Sequence, residues 1–347
     1  MRRVRLIANQ GSVGGGEVML HLRARALREL ECPVVISAPA EPGELAARLE
    51  ADGFAVERVE GKGRADYMHA LRRTVKSRGH ELLWCEGLLP AVALTGRAHR
   101  VVHLHQEPQG RVQSLLARWA RRGTEAVLVS STFMARQVPG ARVVQNWTQD
   151  FPRPESHRPG PVSVPPTVGF LGRLSEDKGV LTYLEAAHKL ATGPSPVAAF
   201  VMAGETRFVD AAEAERIDNA VQRSSAYVTS LGWQETSTFL DSIDILVVPS
   251  VWEEPFGLVA AEAMAAGVTL VVSDAGALPE VAGPGYPYVF PRGDAAALAA
   301  VLRRALADDR TPLIAAQRRR WESEYSPAAG REAMRGLMEE LTTGRPA

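Results

Sequence analysis

Three acids punctuate the stretch "VWEEPFGLVAAEAMAAG" (251–267), and from Leu258 to Gly267 every residue except Glu262 is apolar or glycine. A helix of that composition belongs in a core. A carboxylate buried there needs hydrogen-bond donors or it protonates. A vicinal diol supplies two O–H donors for two carboxylate oxygens, so a ribose would satisfy Glu262. Pro255 suits the first position of a helix. That predicts Glu254 at the helix entrance, with the amides of Phe256, Gly257 and Leu258 directed outward as a site for phosphate or a polar sugar edge. Glu262 lies eight positions after Glu254, about 12 Å along a helix. One nucleotide-sugar could reach both. Alternatively, Glu253 and Glu254 offset the helix dipole, worth about 0.3–1 kcal/mol each.

A matching pair of cations stands upstream in "VGFLGRLSEDKGVLTYLEAAHKL" (168–190). A buried strand runs into Gly172, and Arg173 and Lys178 precede Gly179 and a helix. Cations at a strand's carboxyl end and at a helix start suit a diphosphate, which arginine can bind bidentately. As isolated residues they could equally be surface charges.

The first half carries weaker signals. "NQGSVGGGEVMLHLRARAL" (9–27) is a glycine-rich turn between a strand and a helix, compatible with any tight turn or phosphate loop. "VVHLHQEP" (101–108) ends a strand with His103, His105 and Glu107, which alternation sends to one side. Three metal ligands at a spacing of two along one strand would diverge, so a metal site is not expected, and an ordinary core histidine is an alternative. "RVQSLLARWARRG" (111–123) sets Arg111, Arg118, Arg121 and Arg122 beside Leu115, Leu116 and Trp119. It reads as a covering helix or as one lying on an anionic membrane surface.

Positioning these residues requires a repeating frame, and the sequence has one. Short Val/Ile/Leu runs at 4–9, 33–38, 81–87, 100–106, 126–131 and 142–146 alternate with amphipathic stretches such as 17–30, 65–79 and 112–122. The pattern resumes at 167–174, 196–204, 227–233, 244–250 and 269–274. Continuous apolar runs fit strands of a parallel sheet covered on both faces. The proline-rich "FPRPESHRPGPVSVPP" (151–166) between the two series reads as a linker. The expected organisation is an N-terminal Rossmann-like domain over 1–152, a linker over 153–166 and a second domain over 167–322. A helix within 323–347, broken at Pro327, is expected to return to the first domain. Ligands of such sheets sit at the carboxyl ends of the strands.

Composition fits this frame. With 347 residues, two domains are expected. Net charge is zero, but residues 1–165 carry 24 Lys and Arg against 16 Asp and Glu, and the remainder carries 16 against 24. Two cysteines exclude a disulfide framework. The apolar run at the start is too short for a signal peptide or a membrane span, so a cytoplasmic protein is expected.

"GRLSEDKG" and "EPFGLVAAEAMA" resemble the donor-binding motifs of retaining glycosyltransferases of family 4, the glycosyl transferases group 1, and "SDAGALPEVA" resembles their next strand and loop. The likeness is sharp over 167–285. Thr269 stands where the family usually has proline, and Gly276-Ala277 replaces a double glycine. The resemblance implies an α/β GT-B fold, two doubly wound Rossmann-like domains facing an inter-domain cleft. It implies that Arg173 and Lys178 hold the donor diphosphate and that Glu262 holds the ribose. Glu254 and the amides of Phe256, Gly257 and Leu258 would hold the transferred sugar, with the base near Leu231 and Gly232. Gly14, Gly15 and Glu17 match the family's glycine loop; the two glycines would approach the donor. His105 would face the transferred sugar, and Glu107 the acceptor. The expected reaction is metal-independent hexosyl transfer from a nucleoside diphosphate sugar to a hydroxyl of a glycan, glycolipid or natural product, without a cofactor or nucleic acid. Peripheral contact with the inner face of the membrane through 111–123 would suit a lipid-linked acceptor. A GT-B-like sugar-nucleotide epimerase and an inactive sugar-nucleotide binding protein are the alternatives.

Overall fold

The structure is a computed structural model that describes residues 2–76, 79–151, 165–192 and 197–343. The expected linker at 153–166 lies outside these residues except for its last two. The chain forms two compact units, 1–147 with 327–347, and 148–326.

The first unit runs β1 (Val4–Ile7), α1 (Gly15–Glu29), β2 (Val34–Pro39), α2 (Glu44–Ala51), β3 (Val56–Val59), α3 (Arg64–Thr74) and β4 (Leu82–Glu86). It continues with α4 (Leu88–Ala93), β5 (Arg100–Leu104), α5 (Gly110–Ala120), β6 (Ala126–Val129), α6 (Thr132–Gln137) and β7 (Arg142–Val143). All seven strands are parallel, in the order β3-β2-β1-β4-β5-β6-β7. Every residue of β1, β4, β5 and β6 is buried, as strands covered on both faces should be. β3 has the sequence "VERV", with Glu57 and Arg58 exposed at the sheet edge, so it lacks the apolar run by which its neighbours are recognised.

The second unit runs β8 (Thr167–Leu171), α7 (Val180–Ala191), β9 (Ala199–Ala203), α8 (Ala211–Arg223), β10 (Thr229–Ser230), α9 (Thr236–Asp241) and β11 (Ile245–Val248). Then follow α10 (Leu258–Ala265), β12 (Thr269–Ser273), α11 (Leu278–Ala282), β13 (Val289–Phe290), α12 (Ala295–Ala307) and α13 (Thr311–Glu324). The parallel order is β10-β9-β8-β11-β12-β13.

α14 (Pro327–Thr343) starts at the proline and belongs to the first unit. It packs on α1, and Arg331 pairs with Glu29 at 2.6 Å. A Cβ on Gly330 would fall 2.2 Å from the ring of Trp147, so only glycine lets the helix lie this close. No helix among the described residues is long and apolar enough to cross a membrane.

In both sheets the order reverses beside the first strand, between β1 and β4 and between β8 and β11. Such a switch point opens a crevice at the carboxyl ends of the strands.

Candidate sugar-nucleotide site

In the second unit, the segments leaving β8 and β11 converge at that crevice. Gly179 has φ +74°, and a Cβ there would sit 1.8 Å from the carbonyl oxygen of Pro249. Glycine therefore lets the turn before α7 press against the exit of β11. The amide of Val251 also donates to the carbonyl of Asp177 at 2.9 Å. This contact brings Lys178 onto Glu254. Lys178 Nζ lies 2.5 Å from Glu254 Oε1, which also accepts the Ser250 hydroxyl at 2.6 Å. Lys178 stands 5.4 Å over the Trp252 ring. Arg173, half-buried, donates to Asp177 at 2.6 Å and to the Ser175 hydroxyl at 3.2 Å. Both cations are thus aimed by a carboxylate.

The acidic loop differs from the expectation. The helix starts at Leu258, not at Pro255, and Gly257 is its N-cap with φ +95°. Glu254 therefore lies in the loop, and the helical spacing inferred between it and Glu262 does not hold. The loop is held out of the helix by the segment after β12. Ala277 N donates to Glu254 O at 2.8 Å, and Gly276 N donates to Glu253 Oε2 at 2.9 Å. A Cβ on Gly276 would meet Glu254 O at 2.3 Å. Glu253 also pairs with Arg292 at 2.6 Å, so it serves this clamp. Phe256 is buried and packs edge-on against Tyr325 at 5.5 Å.

Glu262 sits on α10 among Ala260, Ala261, Ala263 and Met264, all buried. It keeps partial access to solvent. Among the described residues its carboxyl forms no hydrogen bond or ion pair, and burial pushes it up to about 7. Leu231 and Gly232 follow β10 and join the same edge. Leu231 N donates to Met202 O at 2.9 Å, and Gly204 N donates to Gly232 O at 2.8 Å. Gly204 in turn presses on Gly172, where a Cβ would meet the Gly172 carbonyl oxygen at 1.8 Å. Leu231 is exposed. The carboxyl ends of β8, β9, β10 and β11 thus carry Arg173 and Lys178, the Leu231-Gly232 pair, and Glu254.

The first unit builds its own cluster. Gly14 caps α1, Gly15 is its first residue, and the His105 ring lies 3.4 Å from where a Cβ of Gly16 would stand. β5 ends at Leu104, so the alternation expected through Glu107 stops short. The His103 and His105 rings nevertheless stack at 4.8 Å, while Glu107 lies in the following loop, partly exposed. His105 Nε2 is 2.7 Å from Glu86 Oε2, which also receives Arg23 at 2.7 Å. Arg23 and Glu86 are buried residues that sequence reading missed. Each left a signal: Glu86 ends the buried run "ELLWCEG", and Arg23 interrupts the apolar face of α1. Burial acts to raise the Glu86 carboxyl, but the charge of Arg23 and the bond to His105 outweigh it and hold the group below its ordinary value. Ionised Glu86 accepts, so His105 Nε2 carries the hydrogen. His103 is fully buried, both its ring nitrogens are unpaired among the described residues, and burial followed by the charges of Arg23 and His105 lowers its pKa and keeps it neutral. Burial raises Glu17, against the opposing effects of His105 and Gln10.

These features define a class. The chain has the GT-B fold, superposing on sucrose-phosphate synthase from Thermosynechococcus elongatus with a TM-score of 0.82 at 20% identity over 99% of this chain and 100% of that one. It superposes on Anabaena HepE, solved with UDP-glucose, with a TM-score of 0.81 at 19% identity over 98% and 100%. Residues 165–308 match the family described as Glycosyl transferases group 1. The chain is 37% identical over 161 residues to the glycogen synthase of Mycobacterium tuberculosis, covering 46% of this chain and 37% of that enzyme. It is 34% identical over 127 residues to alpha-maltose-1-phosphate synthase of Mycolicibacterium smegmatis, covering 35% of this chain and 31% of that protein. The chain thus matches about a third of the length of these curated relatives.

Proposed function

We propose that the protein transfers a hexose from a nucleoside diphosphate sugar to an acceptor hydroxyl, with retention at the anomeric carbon and without a metal. The observation that carries this reading is Glu262, an unpartnered carboxylate on an apolar helix, in the unit whose switch point gathers Arg173, Lys178 and Glu254. HepE, solved with UDP-glucose, supports a nucleotide-sugar donor. In this reading the ribose hydroxyls donate to Glu262, and the base lies over Leu231 and Gly232. Arg173 and Lys178 meet the diphosphate, and Glu254 with the Phe256, Gly257 and Leu258 amides orients the sugar. Gly14 and Gly15 approach the donor, His105 serves the transferred sugar, and Glu107 the acceptor.

The bond from the sugar to the diphosphate oxygen breaks while the acceptor oxygen bonds to the anomeric carbon. The two cations neutralise the charge gathering on the leaving diphosphate, usually the largest catalytic contribution. No carboxylate is assigned as a nucleophile. Attack comes from the leaving-group side, and a leaving phosphate oxygen takes the acceptor's proton. The co-substrate supplies all the chemistry, so no cofactor enters this reading.

A thermal-shift panel of UDP-, GDP-, ADP- and dTDP-sugars tests it, because a ligand of the folded state raises the unfolding temperature. The donor that shifts the protein is then incubated alone. Slow release of nucleoside diphosphate and free sugar fits a transferase. Accumulation of an epimer would replace it with an epimerase, and affinity without turnover over a broad acceptor panel with a binding protein.

A further inference from the structure

We propose that α5 is a docking surface for an anionic lipid bilayer, an inference independent of the donor chemistry. Only Ala117 and Ala120 of this helix are buried. Its far end is fastened from below by the fully buried Arg100, which donates to the carbonyl oxygens of Ala120 at 2.9 Å and Arg122 at 2.7 Å. The rest faces water, although it is not a water-facing sequence. Val112 is 71% exposed, Leu115 63%, Trp119 44% and Leu116 38%. Their spacing of i, i+3, i+4 and i+7 places them on one stripe. Such a contiguous exposed stripe marks an interaction surface.

The charge around the stripe selects the partner. No Asp or Glu occurs between Pro108 and Thr124, whereas Arg111, Arg118, Arg121 and Arg122 do. Elsewhere the chain pairs its arginines freely with acids, as in Arg2–Glu125, Arg58–Glu50 and Arg318–Asp150. Among the described residues none of these four has a carboxylate partner. Arg118, Arg121 and Arg122 line, with Val127, an open recess of about 390 Å³ beside the helix. Three guanidiniums around one recess are suited to phosphate oxygens. Apolar side chains next to an open cationic recess match the layering of a bilayer surface, acyl chains beneath charged headgroups. A nucleic acid would use the arginines and leave Val112, Leu115 and Leu116 idle.

The test is co-sedimentation of the full chain with phosphatidylcholine vesicles, with and without phosphatidylglycerol, over a salt series. An Arg118→Gln, Arg121→Gln, Arg122→Gln triple variant and a Leu115→Ser, Trp119→Ser double variant are compared after circular dichroism confirms folding. Wild type should bind only the anionic vesicles, less strongly as salt rises. An arginine near such a surface is worth roughly fivefold in partitioning, so the triple variant should lose about a hundredfold. The double variant should also lose binding, while retaining any affinity for duplex DNA. The proposal is overturned if wild type binds neither vesicle, if neutral and anionic vesicles bind it equally, or if either variant binds like wild type. It is equally overturned if DNA binds as tightly as vesicles and the triple variant alone is affected. Sedimentation velocity showing a dimer that the double variant dissociates, without vesicle binding, would assign the stripe to a second copy of the chain.

Discussion

Replacing Glu262 by Gln should move stability and donor affinity in opposite directions. The carboxyl is raised from 4.5 to about 7 by burial, with no partner among the described residues to relieve it. A shift of that size corresponds to no more than about 3–4 kcal/mol against the ionised form. Partial access to water reduces the effect on stability to roughly 1–2 kcal/mol. The sign follows from proton counting. Between the unfolded value near 4.5 and the folded value near 7, the folded state holds the extra proton, so stability falls as pH rises through that window and then levels off. Glutamine removes this contribution, and the unliganded variant should unfold at a higher temperature than wild type at pH 8. Donor binding should change the other way, because the diol loses a charged acceptor worth about 1.5–3 kcal/mol, roughly tenfold to a hundredfold in Kd. Thermal unfolding and calorimetric titration with the donor found in the panel, at pH 6 and pH 8, read both effects. Wild-type affinity should increase with pH as the carboxylate forms, and the variant's affinity should be flat across this range. Equal donor-induced shifts in variant and wild type would refute the assignment of Glu262 to the ribose.

Arg173→Ala and Lys178→Ala should each lower kcat at saturating donor more than they lower stability, and Arg173→Lys should recover only part of the rate because lysine lacks the planar fork; near-normal kcat in either alanine variant counts against the role. Gly276→Ala should weaken donor binding without touching a ligand, since its Cβ would drive into the Glu254 backbone at 2.3 Å; titration of donor into the folded variant checks this. Arg23→Met strands Glu86 as a buried charge beside His105 and should destabilise the protein by about 3–5 kcal/mol, measured by denaturant unfolding. Glu86→Gln in the Arg23→Met background should recover much of that loss.

The two-sheet frame was legible because a parallel strand buried on both faces must be mostly apolar, and β1, β4, β5, β6, β8, β11 and β12 all are. β3 escaped because an edge strand tolerates Glu57 and Arg58, and β13 because two residues carry no period. The positions of Arg173 and Lys178 followed from their place after a strand. The start of α10 did not, because proline at a first helical turn is a local preference. The contacts of Gly276 and Ala277 with the backbone of Glu254 override it from twenty-odd residues away. The Arg23–Glu86–His105 network joins three segments through pairing across the sheet, which no local spacing reveals.

The most direct measurement is the anomeric configuration of the first product, followed by proton NMR as the chosen α-linked donor is consumed, before free sugar can mutarotate. The account predicts that an α-configured sugar appears in step with nucleoside diphosphate, at a rate unchanged by a metal chelator and reduced in Lys178→Ala. A β-configured first product, or turnover that stops with the chelator, would contradict it.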